Sequence, residues 1–328
     1  MDPPPGPIRS LVLTPVALVG SLVAIAISPV LFVVSTACDL VDRKRWRFTR
    51  LLALGVAFCV LEFAALIAAL AIRVATGWRR SPAAGVAAHQ AVLAWWLGSI
   101  TSMLRRCLNL TFDVRFPVTG DEPLIVVSRH AGPGDALFLM SELANTQRRE
   151  IRAVGKTTLL WDPFFDHVAA RAGFVFLHPG QSATADLIRS NAAMPSRGAF
   201  ITFPEGGNFT PDRRRRAVAG LRKAGHIERA DTAEALSHLL LPRAGGVHAA
   251  LEGSPSASVV FVGHSGYDDI DSLAELWRAI PAGRHIRLEA RIVPRPDGWL
   301  DRQVVADWVL VCWTDMDRWI RKHSPGPL

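Results

Sequence analysis

The sequence predicts an α/β fold: a single domain with a central, mostly β sheet flanked by helices, preceded by an N-terminal hydrophobic helical hairpin. Two observations lead there. The apolar excess is concentrated at the front, in two long runs nearly free of charge, and from about residue 111 onward short β-rich runs alternate with helical stretches. The expected boundaries are a hairpin over residues 1–80 and one domain over 81–328.

No charged residue occurs from Leu11 to Ala37, and only Glu62 interrupts Leu51 to Ile72, so each run reaches the length a bilayer-spanning helix needs. A cleaved signal peptide fits poorly, because the first run exceeds an h-region and a second run follows at once. Pro15 and Pro29 weaken the first helix, which keeps open a hairpin that dips into one leaflet. The linker between the runs carries Arg43, Lys44, Arg45, Arg47 and Arg50, which the positive-inside rule puts on the cytoplasmic side. Arg73, Arg79, Arg80, Arg105 and Arg106 follow the second run, so the charges at the two ends conflict. The expectation drawn is a cell inner-membrane protein whose hairpin dips into the bilayer and whose domain faces the cytoplasm. A charged Glu62 facing lipid would cost ~2.5 kcal/mol or more, so it is expected to face a partner helix or to be protonated.

A helix over "AAHQAVLAWWLGSITSMLRRCLNL" follows, with Val92, Trp95, Trp96, Ile100, Met103 and Leu104 as its expected apolar face. Strands are expected at "TFDVRFPV", "LIVVS", "IRAVGK", "FVFL" and "AFITFP", with a helix near 182–194 before the last. A basic helix near 211–224 comes next, then strands "SASVVFVGHSG" and "HIRLEARIV". Residues 302–321 close the chain as a helix with Val305, Trp308, Val309, Cys312, Trp313, Met316 and Trp319 on one side.

The net charge of +8 comes almost wholly from arginine. With membrane-length helices beside it, that balance points to anionic headgroups of membrane phospholipids rather than to nucleic acid. Cys38, Cys59, Cys107 and Cys312 show no paired or metal-like spacing, and the histidines His167, His178, His226, His248 and His264 lack ligand spacing, so no metal is expected. "GKTT" at 155–158 lacks the earlier glycine of a P-loop, and no G-x-S-x-G elbow offers a hydrolase nucleophile.

Two stretches carry chemistry. In "SRHAGPGDALFLM", the apolar run "LIVV" ends just before His130, and Asp135 lies five positions on. Loops at the carboxyl ends of strands collect functional groups. At that spacing a carboxylate can return to one imidazole nitrogen and leave the other as a base. Alone, an aspartate at a helix start is more often a cap. In "ITFPEGGNFTPDRRRR", a strand runs into Pro204, Glu205, Gly206, Gly207 and Asn208, where the glycines allow close backbone approach to a ligand and Glu205 could fix hydroxyls. The arginines from Arg213 to Arg216 read either as a solvated helix face or as a contact for anionic headgroups.

Together these pieces resemble the glycerophospholipid acyltransferase family, whose members carry H-x-x-x-x-D in a first motif and F-P-E-G in a third. "GKTTLLWDPFFDHVAARAGFVFL" looks like the second block, with Lys156, Leu159 and Pro163 at its offsets, and "LLLPRAGG" at 239–246 looks like the fourth. The closing segment is similar to the tail of the acylglycerophosphate and lysocardiolipin acyltransferase branch.

The resemblance implies a membrane-bound O-acyltransferase moving a fatty acyl group from acyl-CoA, or acyl carrier protein, to the hydroxyl of a lysophospholipid or 1-acylglycerol-3-phosphate. It implies no cofactor beyond that thioester co-substrate. His130 would be the general base and Asp135 would orient it. Glu205, Gly206, Gly207, Asn208 and Lys156, with Arg213 and Arg214, would bind the acceptor, and Pro242 falls on the motif associated with the acyl donor. Two departures are visible: Arg129 precedes the histidine where asparagine is common, and "EGGN" replaces "EGTR", so Asn208 stands where many phosphatidate-forming members have arginine. An acceptor phosphate then leans either on an arginine reaching back from residues 213–216 or, the expectation preferred from sequence, is a diester held by Asn208 and backbone amides. The non-enzymatic alternative is a membrane-anchored lipid-binding or scaffold protein that retains the fold.

Overall fold

The computed structural model of the chain describes residues 3–42, 45–76, 83–118, 120–178, 184–266, 277, 280 and 283–324. Three long helices come first: α1 (Thr14–Asp42), α2 (Arg47–Ala75) and α3 (Ala83–Leu108). Strands β1 (Thr111–Arg115) and β2 (Leu124–Ser128) precede α4 (Pro133–Ser141), and β3 (Glu150–Lys156) precedes β4 (Val175–Leu177). Then come α5 (Thr184–Ala192), β5 (Gly198–Thr202), α6 (Pro211–Lys223), α7 (Ile227–Ala235) and α8 (Ala244–Gly253), followed by β6 (Ser258–Ser265), β7 (His285–Val293) and α9 (Arg302–His323). The mixed α/β class expected from the alternating pattern is the class observed. The basic helix and the closing helix also fall where the periodicity puts them.

The chain divides into two compact units. The first comprises Met1–Thr111, Phe138–Gln181 and Leu276–Arg284, and the second Phe112–Leu137, Ser182–Glu275 and His285–Leu328.

In the first unit, α1 belongs to a helical run Gly6–Val41, and this run and α2 are each long and apolar enough to cross a membrane. Pro29 lies inside α1 without ending it. Asp39 locks the hairpin, because its carboxylate accepts from the backbone N–H groups of Phe48 (3.2 Å) and Thr49 (2.8 Å) at the uncapped start of α2. Both ends of the hairpin are fastened to other parts of this unit. At one end Arg9 makes a two-point ion pair with Asp166 (3.1 and 3.2 Å), and the Thr14 hydroxyl meets His167 Nε2 at 2.8 Å. At the other, Arg47 donates to the Ile280 carbonyl (2.8 Å) and Arg50 to that of Cys107 (2.9 Å). Midway, Glu62 is only 4 % exposed and faces Asp162, a neighbour that is not a helix of the hairpin.

The buried face of α3 is Leu93, Trp96, Leu97 and Ile100, while Trp95 points outward. This differs from the face expected by period alone, because α3 packs on two sides. Trp96 stacks on Phe164 at 4.2 Å, and the Gln90 amide, buried, exchanges hydrogen bonds with the backbone of Ile151 in β3. An amphipathic stripe meant for a surface would not bury a glutamine; a helix clamped to a strand edge does.

In the second unit the strand order is β1-β7-β6-β2-β5. β2 pairs parallel to β5 (Val126↔Ile201) and to β6 (Val126↔Val260), and β6 pairs antiparallel to β7 (Val262↔Ala290). All five residues of β2 are buried, which is why its sequence is a continuous apolar run rather than an alternating one. Consequently the carboxyl ends of β2, β5 and β6 emerge side by side. α9 buries Val305, Val309, Trp313, Met316, Asp317 and Ile320, a narrower stripe than the sequence suggested, with Trp308 and Trp319 only partly covered. The buried Asp317 accepts from the backbone N–H groups of Ser237 (3.2 Å) and His238 (2.7 Å), and Trp313 Nε1 donates to the Leu240 carbonyl (3.0 Å). The closing helix therefore fixes the path of residues 237–240.

Candidate active site

The three parallel strand ends of the second unit each deliver one ionisable group: His130 after β2, Glu205 after β5 and His264 at the end of β6. Asp135 lies in the first turn of α4. Its Oδ2 accepts from the backbone N–H of Ala131 and of Gly132 (3.0 Å), its Oδ1 from that of Ala136, and His130 Nδ1 sits 2.9 Å from Oδ1. Cap and imidazole partner are thus one carboxylate. By gathering the N–H groups of the preceding turn, Asp135 folds the chain back so that His130, five residues earlier, reaches it. Burial alone would raise the pKa of this group, but the contacts with His130 and His264 outweigh it and hold the carboxyl well below the usual carboxylate range.

With Nδ1 given to Asp135, Nε2 is the free nitrogen of His130, and the side chain is 22 % exposed. The third motif wraps around this histidine. The Phe203 ring lies 4.8 Å from the imidazole, the His130 N–H donates to Glu205 Oε1 (3.0 Å), and the Phe209 N–H donates to the His130 carbonyl (2.6 Å).

Glu205 is 5 % exposed, and its second oxygen accepts from the Leu240 N–H at 3.3 Å. The sequence offered this glutamate as a ligand for hydroxyls; in the structure its oxygens tie the backbones of the first and fourth motifs to the third. Burial pushes its pKa up to about 7, against hydrogen bonds from His130 and Leu240 and the charge of Arg129. Arg129 is fully buried, with one guanidinium nitrogen on the His264 carbonyl (2.7 Å) and the other on the His238 carbonyl (3.2 Å). The residue that departs from the usual asparagine is a buried cation that ties the end of β6 to the 237–240 segment under the site.

Gly206 adopts φ +68°, a conformation L side chains rarely take, and the turn it makes leads into Gly207 and Asn208. Arg213 returns from the first turn of α6: its Nη1 donates to the Asn208 carbonyl (3.2 Å), and its guanidinium lies where a Gly207 side chain would be. Arg243 follows Pro242 in the fourth motif; its N–H donates to the Pro204 carbonyl (2.9 Å), and its guanidinium lies beside Gly206. Both arginines are exposed, and neither meets a carboxylate among the described residues. Arg214, expected with Arg213 at the acceptor, instead points away to the carbonyls of Leu236 (2.5 Å) and Glu234. Lys156 is an exposed residue ending β3, in the first unit.

The site thus gathers His130, Asp135, Glu205, the 206–208 turn, Arg213 and Pro242. Sequence reasoning missed Arg129, Arg243 and His264. His264 was legible in principle, as a polar residue closing an apolar parallel strand.

Residues 109–262, which hold both motif-bearing turns, match the family model described as Acyltransferase. No curated protein matches the sequence. Among solved structures, the chain is similar in fold to the 1-acyl-sn-glycerophosphate (LPA) acyltransferase PlsC from Thermotoga maritima, with a TM-score of 0.51 and 13 % identity over 82 % of this chain and 97 % of that one.

Proposed function

We propose that this acyltransferase moves a fatty acyl group from a thioester, acyl-CoA or acyl carrier protein, to the free hydroxyl of a lysophospholipid. The observation that carries the reading is the 2.9 Å contact of His130 Nδ1 with Asp135, which leaves a partly exposed Nε2 as the basic nitrogen. In the proposed step Nε2 takes the hydroxyl proton as the oxygen attacks the thioester carbonyl. The carbon–sulfur bond breaks, the ester forms, and the proton passes from His130 to the departing thiolate. No acyl-enzyme and no cofactor is required.

The acceptor's phosphate is assigned to the 206–208 turn, flanked by Arg213 and Arg243. Two guanidinium groups without acidic partners suit a doubly charged phosphomonoester, so the position of Arg213 favours lysophosphatidic acid over the diester that Asn208 alone suggested. The hairpin is proposed as a membrane anchor lying along one leaflet. Its ends and its middle are all fastened to the same unit, while the helical run Gly6–Val41 exposes Leu11, Val16, Val19, Val30 and Val33, which supports sideways insertion rather than two spans.

The test is transfer of labelled acyl groups, from each donor in turn, to a panel of lysolipids with products resolved by mass. Lysophosphatidic acid is expected to be the best acceptor. Arg213→Ala and Arg243→Ala are each expected to raise its Michaelis constant roughly tenfold, the scale of one charge-assisted contact, with kcat little changed. A preference for diester lysolipids that both variants leave untouched would overturn the acceptor assignment, and transfer to none would overturn the function.

A further inference from the structure

β6 is apolar from Val259 to Gly263 and then places His264, whose ring is 2 % exposed. Placing an imidazole in such a strand costs free energy unless polar groups meet it. The group in front of it is Asp135: Nε2 of His264 lies 3.3 Å from Oδ2, the oxygen that also accepts the Ala131 and Gly132 N–H groups, while Oδ1 faces His130. The backbone of His264 is held as firmly, since its carbonyl accepts from the buried Arg129 at 2.7 Å. One carboxylate therefore stands between two imidazoles, one on each oxygen. The charged groups facing this cluster are Arg129, from the end of β2, and Glu205, from the turn after β5.

We infer that His264 is a positioning residue for the transfer reaction: with its Nε2 edge 3.3 Å from Oδ2 it holds the Asp135 carboxylate with Oδ1 toward His130, and it draws off part of the charge that would otherwise hold a proton on His130. The inference rests on the reading of His130 as the base. Its consequence is a base that stays unprotonated, and therefore active, to lower pH than the same His–Asp pair would without the second imidazole. An aspartate with fewer donors stabilises the imidazolium form of its partner more strongly.

The experiment compares His264→Phe, which keeps a ring of similar shape without a donor, with His264→Gln, whose amide nitrogen can occupy the place of Nε2. The acid limb of kcat/KM is expected to move up by ~0.5–1 pH unit in the Phe variant and to return toward the wild-type position in the Gln variant. Modification of His130 by diethylpyrocarbonate as a function of pH, followed by mass spectrometry, reads the same shift without turnover. It keeps the test valid even if no lysolipid is acylated, so failure of the function and failure of this role are told apart. Should the Phe variant not fold, His264→Asn, too short to reach Oδ2, replaces it. A turnover loss that is equal in the donor-lacking and Gln variants, with both the limb and the modification profile unmoved, would make His264 a packing residue and overturn the inference.

Discussion

Two histidines, one in each unit, have buried polar surroundings and opposite chemistry. His130 gives Nδ1 to a carboxylate and leaves Nε2 partly open. His167 is buried at the end of the hairpin, with Nε2 on the Thr14 hydroxyl (2.8 Å) and Nδ1 3.4 Å from the Arg73 guanidinium. Burial pushes its pKa down to about 4; the charge of Asp166 opposes this, and Arg171, Arg73 and Arg9 add to it. A base must be able to hold a proton for part of the cycle, which needs an anion on its far side. His130 has one, whereas the aspartate next to His167 in sequence spends its carboxylate on Arg9. Adjacency in sequence is the poorer guide: the aspartate five residues away is the partner, and the one beside the histidine is not.

The largest expected difference between the two is in turnover. His130→Ala should lower kcat by ~10²- to 10⁴-fold, while the unfolding free energy falls by only about 1–3 kcal/mol, the cost of one lost hydrogen bond to the buried Asp135. Steady-state acyl transfer beside urea unfolding of the same preparation measures both. Near-normal turnover would erase the distinction drawn between the two histidines.

Much of this was legible in advance, and the boundary has physical causes. β2 could be read because a strand buried on both faces is a continuous apolar run, and the His130–Asp135 spacing because a helix-capping aspartate returns to the residues just before it. The roles of Glu205 and Arg129 could not be read, because a charged residue in a loop gives no sign of whether it faces solvent or the backbone of a distant segment. Leu240 lies 35 positions from Glu205, and His264 lies 135 from Arg129. The inward face of α3 was misjudged for a related reason: periodicity locates an apolar stripe but not the strand edge that Gln90 meets.

Glu205 sharpens the comparison through stability. Its pKa of about 7 lies above the ordinary 4.5, so the folded state binds the proton more tightly than the unfolded chain does. The fold therefore loses stability as pH rises from about 4.5 to 7, by about 3 kcal/mol at most. Glu205→Gln, neutral at every pH, should remove that decline. Urea unfolding at pH 5 and pH 7 checks it, and an identical pH slope in variant and wild type would mean that Glu205 is not held in the environment described here.

His167 gives a pH effect on stability of the opposite sign. A histidine whose pKa falls from 6.5 to about 4 on folding is neutral in the native state where the unfolded chain would already be protonated. Its contribution is fully present above pH 6.5 and is lost as pH falls toward 4, so stability rises with pH across the window in which Glu205 makes it fall. The loss should reach about 3 kcal/mol at most, as for Glu205, because the two pKa values move by the same amount in opposite directions. In the wild-type chain the two slopes offset each other between about pH 5 and 6.5, giving an unfolding free energy that changes little with pH. Substituting one group exposes the other: Glu205→Gln should leave a chain that gains stability with rising pH, and His167→Gln, whose amide can still meet Thr14, one that loses it. His167→Gln should also keep kcat within about twofold, since its ring packs at the end of the hairpin and lies outside the proposed proton path. A His167→Gln chain with the wild-type pH slope would show that the cluster of Arg9, Arg73 and Arg171 does not hold this imidazole neutral, and the contrast between the two histidines would then rest on His130 alone.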